Sequence, residues 1–373
     1  MASLQKNILV VWSWFSGCIM AYELARAGHR ITLQEKRTHI GGNCYTYRDE
    51  ATGIIVHKYW AHIFHTDNET VWNYVNTFEK FNPFIHHVKA RVQDQVFWLP
   101  INLQTINQFF GKNFTPKEAE EYIKSLCTIY PDGAKNFTEQ ALSTVGKDLA
   151  EAFLFWYTKK QWGIDPVDLP TSILKRLPVR FDNNMNYFDS KYQGMPENGY
   201  TPIFEKLLSH PNIQVQLNTS FDKRQAKEEF DHIVYTGPID AYFDYKYGAL
   251  EYRTLDFEEE RVIGEYQWCA VMNYCDENIP FTRIVEHKYF MPNTDSPETI
   301  IFKEYSRQAT KNDEPYYPIR LAKGRKILDC YQSLIATEEH TTFLWRLWTY
   351  RYLDMDVAIW EAIQVAEELI PKL

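Results

Sequence analysis

The chain has 373 residues, of which 45% are hydrophobic, and a formal net charge of -9. This length is enough to bury a large core and to divide into two or three domains. The acidic balance excludes a broad basic surface for nucleic acid, so an anionic ligand would have to be held locally by a few arginines. The six cysteines include no C-x-x-C pair, and they indicate neither a metal site nor a disulfide framework.

The first predicted elements form a βαβ unit. They are a buried strand over 7–15, a helix over 17–27 capped by Gly28, and a second strand over 29–35. Glu35 ends the second strand, where a dinucleotide-binding fold holds a ribose hydroxyl. Outside that context Glu35 would be a solvated strand end, so its role depends on the whole unit.

The remainder of the chain shows helical and strand patterns in alternating blocks. The patterns predict a helix over 67–78, a hairpin over 88–99 turning at Gln93-Asp94, a mainly helical segment over 101–162, strands within 172–216, a strand over 233–238, strands within 243–317, a strand over 342–345 and a helix over 354–369. Thr115 to Glu118 form a capping box with Pro116 at the first helical position. We expect the two ends of the chain and a middle strand to build one discontinuous domain.

The apolar opening of the chain is not expected to be a secretory signal. Glu23 and Arg26 place charge just before its cleavage-like site. No later stretch is long enough to span a membrane. We therefore expect a cytoplasmic protein that has neither a membrane nor a nucleic acid as partner.

Long motifs occur in a fixed order from about position 5 to about position 370. They are 35–43 (EKRTHIGGN), 61–66 (AHIFHT), 157–163 (YTKKQWG), 173–181 (ILKRLPVRF), 192–196, 235–240, 252–255, 281–284, 286–290, 315–318 and 350–355. In this order and spacing the chain resembles the bacterial UDP-galactopyranose mutases, flavoenzymes that interconvert the six- and five-membered ring forms of UDP-galactose. The resemblance implies an α/β fold in which a FAD-binding, Rossmann-like βαβ domain carries an inserted helical domain and a twisted antiparallel β-sheet domain.

The resemblance also implies a domain plan and a reaction. The FAD-binding domain would comprise 1–85, 215–242 and 318–373, the helical domain 86–165, and the β-sheet substrate domain 166–214 and 243–317. The active site would lie in the cleft between them, in a homodimer. In the family, N5 of reduced FAD attacks the anomeric carbon of UDP-galactopyranose and UDP leaves. The flavin–sugar adduct opens to an iminium, a different sugar hydroxyl closes the ring, and the anomeric carbon recaptures UDP as its bond to the flavin breaks.

Position by position, the resemblance assigns roles to individual residues. The implied catalytic residues are Arg176, Arg283, Tyr352, Asp354 and His65. The implied substrate-binding residues are Tyr157, Trp162, Tyr187, Tyr317 and Arg253. The implied cofactor-binding residues are Gly17, Glu35, Lys36, Gly41, Gly42, Asn43, His62, Arg346 and Met355. Arginine forks suit a departing diphosphate better than lysine does.

Each assignment has a plainer alternative. An arginine is more often a surface ion-pair partner, and Trp162 could simply pack in the core. Asp354 could serve only as a helix N-cap, and the histidines could be hydrogen-bonded core residues. His86 stands where close relatives have an asparagine near the uridine.

The chain departs from the family at the first βα turn. A dinucleotide fold carries G-x-G-x-x-G there, but 12–17 read WSWFSG, so Trp12 and Trp14 replace the glycines that form the tight turn and admit the pyrophosphate. Tryptophan also replaces family glycines at Trp60, Trp156, Trp268, Trp345 and Trp348. An aromatic half-buried strand would explain only the first site. We therefore predict an engineered or otherwise altered mutase, impaired or inactive because indoles fill its FAD groove.

The cost of these substitutions keeps an alternative function open. Overpacking costs ~1–3 kcal/mol per site, and a non-glycine residue at positive φ adds of order 1–3 kcal/mol. Burial of the indoles in a groove without cofactor would offset part of this. The alternative is a cofactor-free, non-catalytic scaffold that binds a UDP-sugar through its arginines and tyrosines. A weaker alternative is a relative of the flavin amine oxidases, which share the βαβ opening.

Overall fold

A computed structural model describes residues 5–176, 178–291, 295–319, 321–344, 350 and 353–373, without the side chains of 175, 176, 322 and 323. The helices in these ranges are α1 (Phe15–Arg26), α2 (Glu69–Phe78), α3 (Leu103–Phe110), α4 (Pro116–Leu126), α5 (Phe137–Thr144), α6 (Gly146–Leu149), α7 (Trp156–Trp162), α8 (Thr201–Leu208), α9 (Lys223–Glu229), α10 (Ile239–Tyr242), α11 (Ala322–Ile335) and α12 (Met355–Leu369). A π-helical segment, Ala150–Phe155, joins α6 to α7.

The strands of the same ranges fall into two large and two small sheets. They are β1 (Asn7–Val11), β2 (Arg30–Gln34), β3 (Thr46–Arg48), β4 (Ile55–His57), β5 (Phe64–Thr66), β6 (Phe81–Pro83), β7 (Val88–Val92), β8 (Gln95–Leu99), β9 (Tyr192–Pro196), β10 (Ile213–Gln216), β11 (His232–Tyr235), β12 (Tyr252–Ile263), β13 (Val271–Tyr274), β14 (Arg283–Glu286), β15 (Glu298–Gln308), β16 (Tyr317–Pro318) and β17 (Thr341–Phe343).

The first large sheet is parallel and contains the βαβ unit. Its order is β10-β2-β1-β11-β17, and each neighbouring pair runs parallel. Positions 8–11 of β1 are buried, as a central strand covered on both faces requires. The helices α1 and α12 pack against each other beside this sheet. The discontinuous assembly of the sheet is as expected, since its strands come from the beginning, the middle and the end of the chain.

The second large sheet has the order β16-β12-β15-β14-β13-β7-β8 and is antiparallel except for the pair β13–β7. The predicted hairpin over 88–99 is confirmed, with Gln93 at a φ of 54° in its turn. We expected this hairpin to belong to the helical domain over 86–165. It instead extends the sheet, because Val88 pairs with Val271. Through this hairpin, the sheet extends beneath the helical segment.

Several element predictions are confirmed. The helix α2, the capping box at the start of α4, the helical segment from α3 to α7 and the C-terminal helix α12 all form where their patterns indicate. In α4, Thr115 accepts from the backbone of Glu118, and the Glu118 side chain accepts from the backbone of Thr115.

Two element predictions were wrong. The strand predicted over 7–15 ends at Val11, because Trp12 turns the chain at a φ of 76° and α1 begins at Phe15. Most of 172–216 is not strand: Thr171–Arg176 is a 3-10 helix and α8 follows β9. The buried residues Ile203, Phe204, Leu207 and Leu208 have helical spacing, which the strand prediction overlooked.

Candidate functional site

A cavity of about 710 Å³ lies between the seven-stranded sheet, the helical segment and the start of α12. Val88, Val271, Asn273, Arg283 and Val285 form its sheet wall. Of the residues expected in the site, the following line it: Asn43, His62, His65, Tyr157, Trp162, Tyr187, Arg283, Tyr317, Asp354 and Met355. The fold thus brings together in one cleft side chains that are far apart in sequence.

Arg283 is the cation at the centre of this cleft. Its Nη2 donates to the Tyr157 hydroxyl at 2.7 Å, and its Nε lies 3.3 Å from Oε1 of the fully buried Glu304. Glu304 also accepts from the Thr282 hydroxyl at 3.2 Å. Burial disfavours the charged guanidinium, but Glu304 and the neighbouring tyrosines raise the pKa of Arg283 above its usual value. A permanent positive charge therefore faces the cavity.

The indole of Trp60 covers this guanidinium. The Arg283 Cζ lies 4.8 Å from the Trp60 ring centre. The Trp60 ring also contacts Tyr317, with 4.9 Å between the two ring centres. Trp162 stands beyond Tyr317, at 6.3 Å between ring centres. A ligand that binds the face of the Arg283 guanidinium must either displace the Trp60 ring or share that face with it.

The two histidines of the 61–66 motif are held in place at the cavity wall. Nδ1 of His62 donates to the Trp60 carbonyl at 2.7 Å. Nδ1 of His65 shares a hydrogen bond with the Ser190 hydroxyl at 3.1 Å, and its ring stacks on Phe188 at 3.6 Å. These contacts orient both rings, as a positioning role requires. Asp354 occupies the N-cap position of α12 and also lines the cavity.

Sequence reasoning missed two polar residues of the cavity wall. Gln161 and Asn273 are buried there, and both amide atoms of Gln161 and the Asn273 Oδ1 have no hydrogen-bond partner within the described part of the chain. Their positions could have indicated them, since Gln161 lies one helical turn after Tyr157 and Asn273 is paired with Arg283 across β13 and β14. Both are available to a ligand that offers a polar edge.

Arg253, expected to bind substrate, lies elsewhere. It is buried on β12, where Nε donates to the Gln161 carbonyl at 3.1 Å and to the Ser306 hydroxyl at 3.1 Å, and Nη2 donates to the Lys160 carbonyl at 3.4 Å. It therefore ties the C-terminus of α7 to the sheet and does not line the cavity. Tyr352, Arg346, Trp345 and Trp348, and the side chain of Arg176, lie outside the described residues.

The turn after β1 is closed by its own side chains. Trp12 has a φ of 76°, in the left-handed region that favours glycine. The Trp14 indole donates to Cys44 Sγ at 3.0 Å and lies against Gly42. The space left at this turn, lined by Trp12, Trp14, Glu35, Lys36, Arg37, Gly42, Asn43, Glu314 and Pro315, is only about 20 Å³. That is room for about one water molecule.

The polar groups at this turn are also paired within the protein. Oε2 of Glu35 accepts from the Ser13 backbone at 3.0 Å and from its hydroxyl at 2.7 Å, and Oε1 accepts from the Arg37 backbone at 3.0 Å. Glu314 binds Lys36 and Arg37, each at 2.7 Å. A FAD molecule needs this carboxylate for its ribose and this turn for its pyrophosphate. FAD therefore does not fit the turn as it is folded here.

Two tryptophans expected to block the groove do not line the cavity. Trp268 is 69% exposed, with a φ of 50°, so its indole occupies no groove although its backbone has a glycine-like conformation. Trp156 begins α7 with Lys159 Nζ 5.0 Å from its ring centre, and it is absent from the cavity wall. Among the described tryptophans, Trp12 and Trp14 close the turn after β1, and Trp60 covers the Arg283 guanidinium.

Gly17 is the glycine of the G-x-G-x-x-G pattern that the chain retains; it lies in the first turn of α1, and its replacement is expected to be costly. A Cβ added at Gly17 would overlap the Trp12 carbonyl oxygen, which is backbone and cannot rotate away. We expect Gly17→Ala to lower the free energy of unfolding by about 3 kcal/mol, measured by urea denaturation. Gly324→Ala is the matched control, because this helical glycine has its nearest neighbours at 3.4 Å, an ordinary contact distance. Equal stability of the two variants would contradict the close packing at Gly17.

Acid is expected to destabilise the protein through buried histidines. His57, His86 and His287 are each at most 3% exposed, and the His57 backbone donates to His287 Nδ1. Burial lowers the pKa of His86 and of His287 to about 3, and that of His57 well below its usual value. The unfolded chain, with histidine pKa values of about 6.5, binds more protons below that pH. The free energy of unfolding should therefore fall by about 1.4 kcal/mol per pH unit for each histidine.

The measurement is urea denaturation at pH values from about 7 down to about 5. His86→Asn removes one of these titrating groups, so its slope should be smaller by up to about 1.4 kcal/mol per pH unit. A stability that stays level over this range would show that these rings take up protons in the folded state.

Two features are absent from the described ranges of the chain. No helix there is long and apolar enough to cross a membrane. No group of three histidine, cysteine, aspartate or glutamate side chains there is arranged to hold a metal ion.

A parallel sheet with a βαβ opening, joined to a second sheet and a cleft lined by a half-buried arginine, defines a dinucleotide-fold protein with a polar ligand cleft. The family model described as UDP-galactopyranose mutase matches residues 152–352, and that of an NAD(P)-binding Rossmann-like domain matches residues 15–78. The chain belongs to the UDP-galactopyranose mutase family.

Individual relatives agree with this membership. A probable UDP-galactopyranose mutase of Klebsiella pneumoniae is 50% identical over 98% of this chain and 95% of that protein. A dTDP-fucopyranose mutase of Escherichia coli is 46% identical over 97% of this chain and 98% of that protein. The crystal structure of a reduced UDP-galactopyranose mutase superposes with a TM-score of 0.72 and 14% identity, covering 99% of this chain and 96% of the other, which supports the fold.

Proposed function

We propose that this chain is a nucleotide-sugar-binding member of its family in which the interconversion of UDP-galactopyranose and UDP-galactofuranose is impaired or lost. The observation that supports this most directly is the contrast between two spaces. The cleft around Arg283 keeps about 710 Å³, whereas the dinucleotide turn keeps about 20 Å³. The ligand cleft is therefore large enough for a ligand, whereas the dinucleotide turn is too small for a pyrophosphate.

The polar end of the cleft suits a diphosphate. Arg283 provides the charge, and Tyr157, Tyr187 and Tyr317 border the same space with their phenol groups. A guanidinium fork and hydroxyl donors in a partly desolvated cleft hold phosphate oxygens more firmly than an exposed lysine would. By resemblance, Arg176 and Tyr352 would add further donors. The ligand class that follows is a nucleoside diphosphate sugar.

The isomerisation itself needs a group that this chain does not accommodate. In the family the nucleophile comes from reduced FAD, and none of the residues described around Arg283 replaces it. His62 and His65 are held by Trp60 and Ser190, and they position rather than attack. We therefore assign the chain the alternative role of a cofactor-free scaffold that binds a UDP-sugar and releases it unchanged. One relative is named for a uridine diphosphate sugar and another for a thymidine diphosphate sugar, so both nucleotides are candidates for this chain.

The test combines a visible absorption spectrum of the purified protein with calorimetric titration of UDP and UDP-galactose. We expect no flavin band and no uptake of added FAD, but saturable binding of both ligands. A protein that carries stoichiometric FAD and converts UDP-galactofuranose would refute the proposal. Absence of any UDP binding would refute the proposal that the chain binds a nucleotide sugar.

Removing the indole that covers Arg283 should strengthen UDP binding. In Trp60→Ala the guanidinium loses a cation–π contact worth roughly 0.5–2 kcal/mol, and a diphosphate no longer competes for that face. The affinity for UDP should rise by up to about tenfold. Trp156→Ala, an equal truncation away from the cavity wall, is the control and should leave UDP affinity unchanged. Weaker binding in Trp60→Ala would mean that the indole contacts the ligand instead.

A further inference from the structure

A half-buried lysine on α7, Lys160, is bound by four backbone carbonyl groups. All four belong to the end of β13 and the segment that connects it to β14. Nζ of Lys160 lies 2.7 Å from the carbonyl oxygen of Tyr274, 2.9 Å from those of Asp276 and Ile279, and 3.2 Å from that of Phe281. We name these four oxygens the carbonyl cage. Burial lowers the pKa of Lys160 to about 8, so the amine carries its proton at neutral pH.

The carbonyl cage has the chemistry of a site for a small monovalent cation. An ammonium group has three N–H donors and here faces four oxygens, so its hydrogen bonds are shared among them. Converging backbone carbonyls are also the ligands that replace the water shell of a potassium ion in proteins. Ammonium and potassium ions have nearly the same radius. The side chain of Lys160 therefore supplies, from within the chain, the cation that such a cage binds.

The carbonyl cage joins two elements that carry residues of the cleft. β14 begins at Arg283, two residues after Phe281, the last member of the cage. α7 carries Tyr157 one turn before Lys160, and the Tyr157 hydroxyl accepts from Arg283 at 2.7 Å. Without the cation, the four oxygens would repel one another and lose their hydrogen bonds. The distance between α7 and the start of β14 therefore depends on the charge of Lys160.

The backbone of α7 has a separate anchor at the same position. Nη2 of Arg253 on β12 donates to the Lys160 carbonyl at 3.4 Å. α7 is thus tied to β12 through its backbone and to the connection between β13 and β14 through the Lys160 ammonium. The preceding Lys159 is in a different setting, because it is exposed and its Nζ lies 3.7 Å from the Asp165 carboxylate. Removal of the charge should move the start of β14 at position 160 but not at position 159.

We propose that Lys160 is a positioning residue for the cleft, and that its ammonium is a built-in monovalent cation that holds Arg283 beside Tyr157. This inference rests on the proposed binding of nucleoside diphosphates at Arg283, and it adds a residue that does not itself line the cavity. It also assigns a latent cation site to the chain, because loss of the lysine side chain leaves the carbonyl cage open to potassium or ammonium ions.

The test is rescue of Lys160→Ala by a free cation. Calorimetry at neutral pH measures Kd for UDP in tetramethylammonium, potassium or ammonium chloride, at equal ionic strength because salt screens the attraction between UDP and Arg283. Tetramethylammonium is too large for the cage, and there we expect Kd to rise on the order of tenfold over that of the unaltered protein, since small displacements of a binding group have effects of this size. Potassium or ammonium should restore most of the lost affinity.

Two further variants separate positioning from general damage. Lys159→Ala removes the neighbouring exposed lysine and should leave Kd for UDP unchanged in every salt. Lys160→Gln keeps two N–H donors but has no charge, so its Kd should rise and should not respond to potassium. This variant also decides the question if Lys160→Ala fails to fold. A Kd for Lys160→Gln equal to that of the unaltered protein, or a loss in Lys160→Ala that neither ion restores, would overturn the inference.

Melting temperatures distinguish failure of this inference from failure of the proposed function. Potassium that binds the folded state should raise the melting temperature of Lys160→Ala above its value in tetramethylammonium, whereas the unaltered protein, whose cage is filled, should show no such rise. If the unaltered protein binds no UDP, the proposed function fails, and this rise still shows whether the cage takes a cation. Absence of the rise would overturn the cation site, while UDP binding to the unaltered protein would still support the proposed function.

Discussion

Replacement of Trp12 and Trp14 together by glycine is expected to convert a colourless protein into one that co-purifies with FAD. Glycine at position 12 accepts the φ of 76° that Trp12 now adopts at a cost of order 1–3 kcal/mol. Glycine at position 14 removes the indole that lies against Gly42 and lets backbone approach a pyrophosphate. The measurement is the ratio of flavin to protein from the visible spectrum, which we expect to rise from none to near-stoichiometric.

Trp268→Gly is the matched control for this prediction. Position 268 also has a left-handed backbone, but its indole is 69% exposed and far from blocking any space. The control should gain stability by relief of the same strain, measured by urea denaturation, and should stay colourless. A double variant that gains stability but no flavin would show that the closed turn is not what excludes the cofactor.

The sequence predicted the framework of the fold because its signals are local. A buried strand, a helix and a second strand ending in Glu35 form the βαβ unit, and the capping box at Thr115 sets the start of α4. The strand predictions over 7–15 and 172–216 failed on local features, the turn at Trp12 and the helical spacing of α8, whereas the placement of the hairpin failed because it depends on partners distant in the chain. The hairpin over 88–99 joins the large sheet through Val271, and no local pattern specifies that pairing.

The site shows the same division. The motif that contains Tyr157 identified a cavity residue, whereas Arg253, in an equally strong motif, is used to bind backbone carbonyls of α7. Residue type and motif do not distinguish a ligand-binding arginine from a structural one, because both are buried and hydrogen-bonded. Trp268 illustrates the point for glycine positions: its backbone conformation is glycine-like, but only the fold tells where the indole points.

Loss of the Arg283 guanidinium is expected to abolish UDP binding and to destabilise the protein. Arg283→Ala leaves Glu304, which is fully buried, without the cation at 3.3 Å, and an uncompensated buried charge costs about 3–5 kcal/mol. Arg283→Lys keeps a charge but cannot match the planar fork that reaches both Glu304 and Tyr157. We expect UDP affinity to fall by at least about 100-fold in the alanine variant, measured by calorimetry.

Two companions separate binding from stability. In Arg283→Met with Glu304→Gln the buried charges are removed together, so stability should recover while UDP binding stays lost. Arg253→Met removes a buried arginine that binds the backbone of α7 and does not line the cavity, and it should lower stability while retaining most UDP affinity. UDP binding that survives in the Arg283 double variant, or disappears equally in Arg253→Met, would show that Arg283 is a second structural arginine. In that case the anion would have to be held by other donors in the cleft.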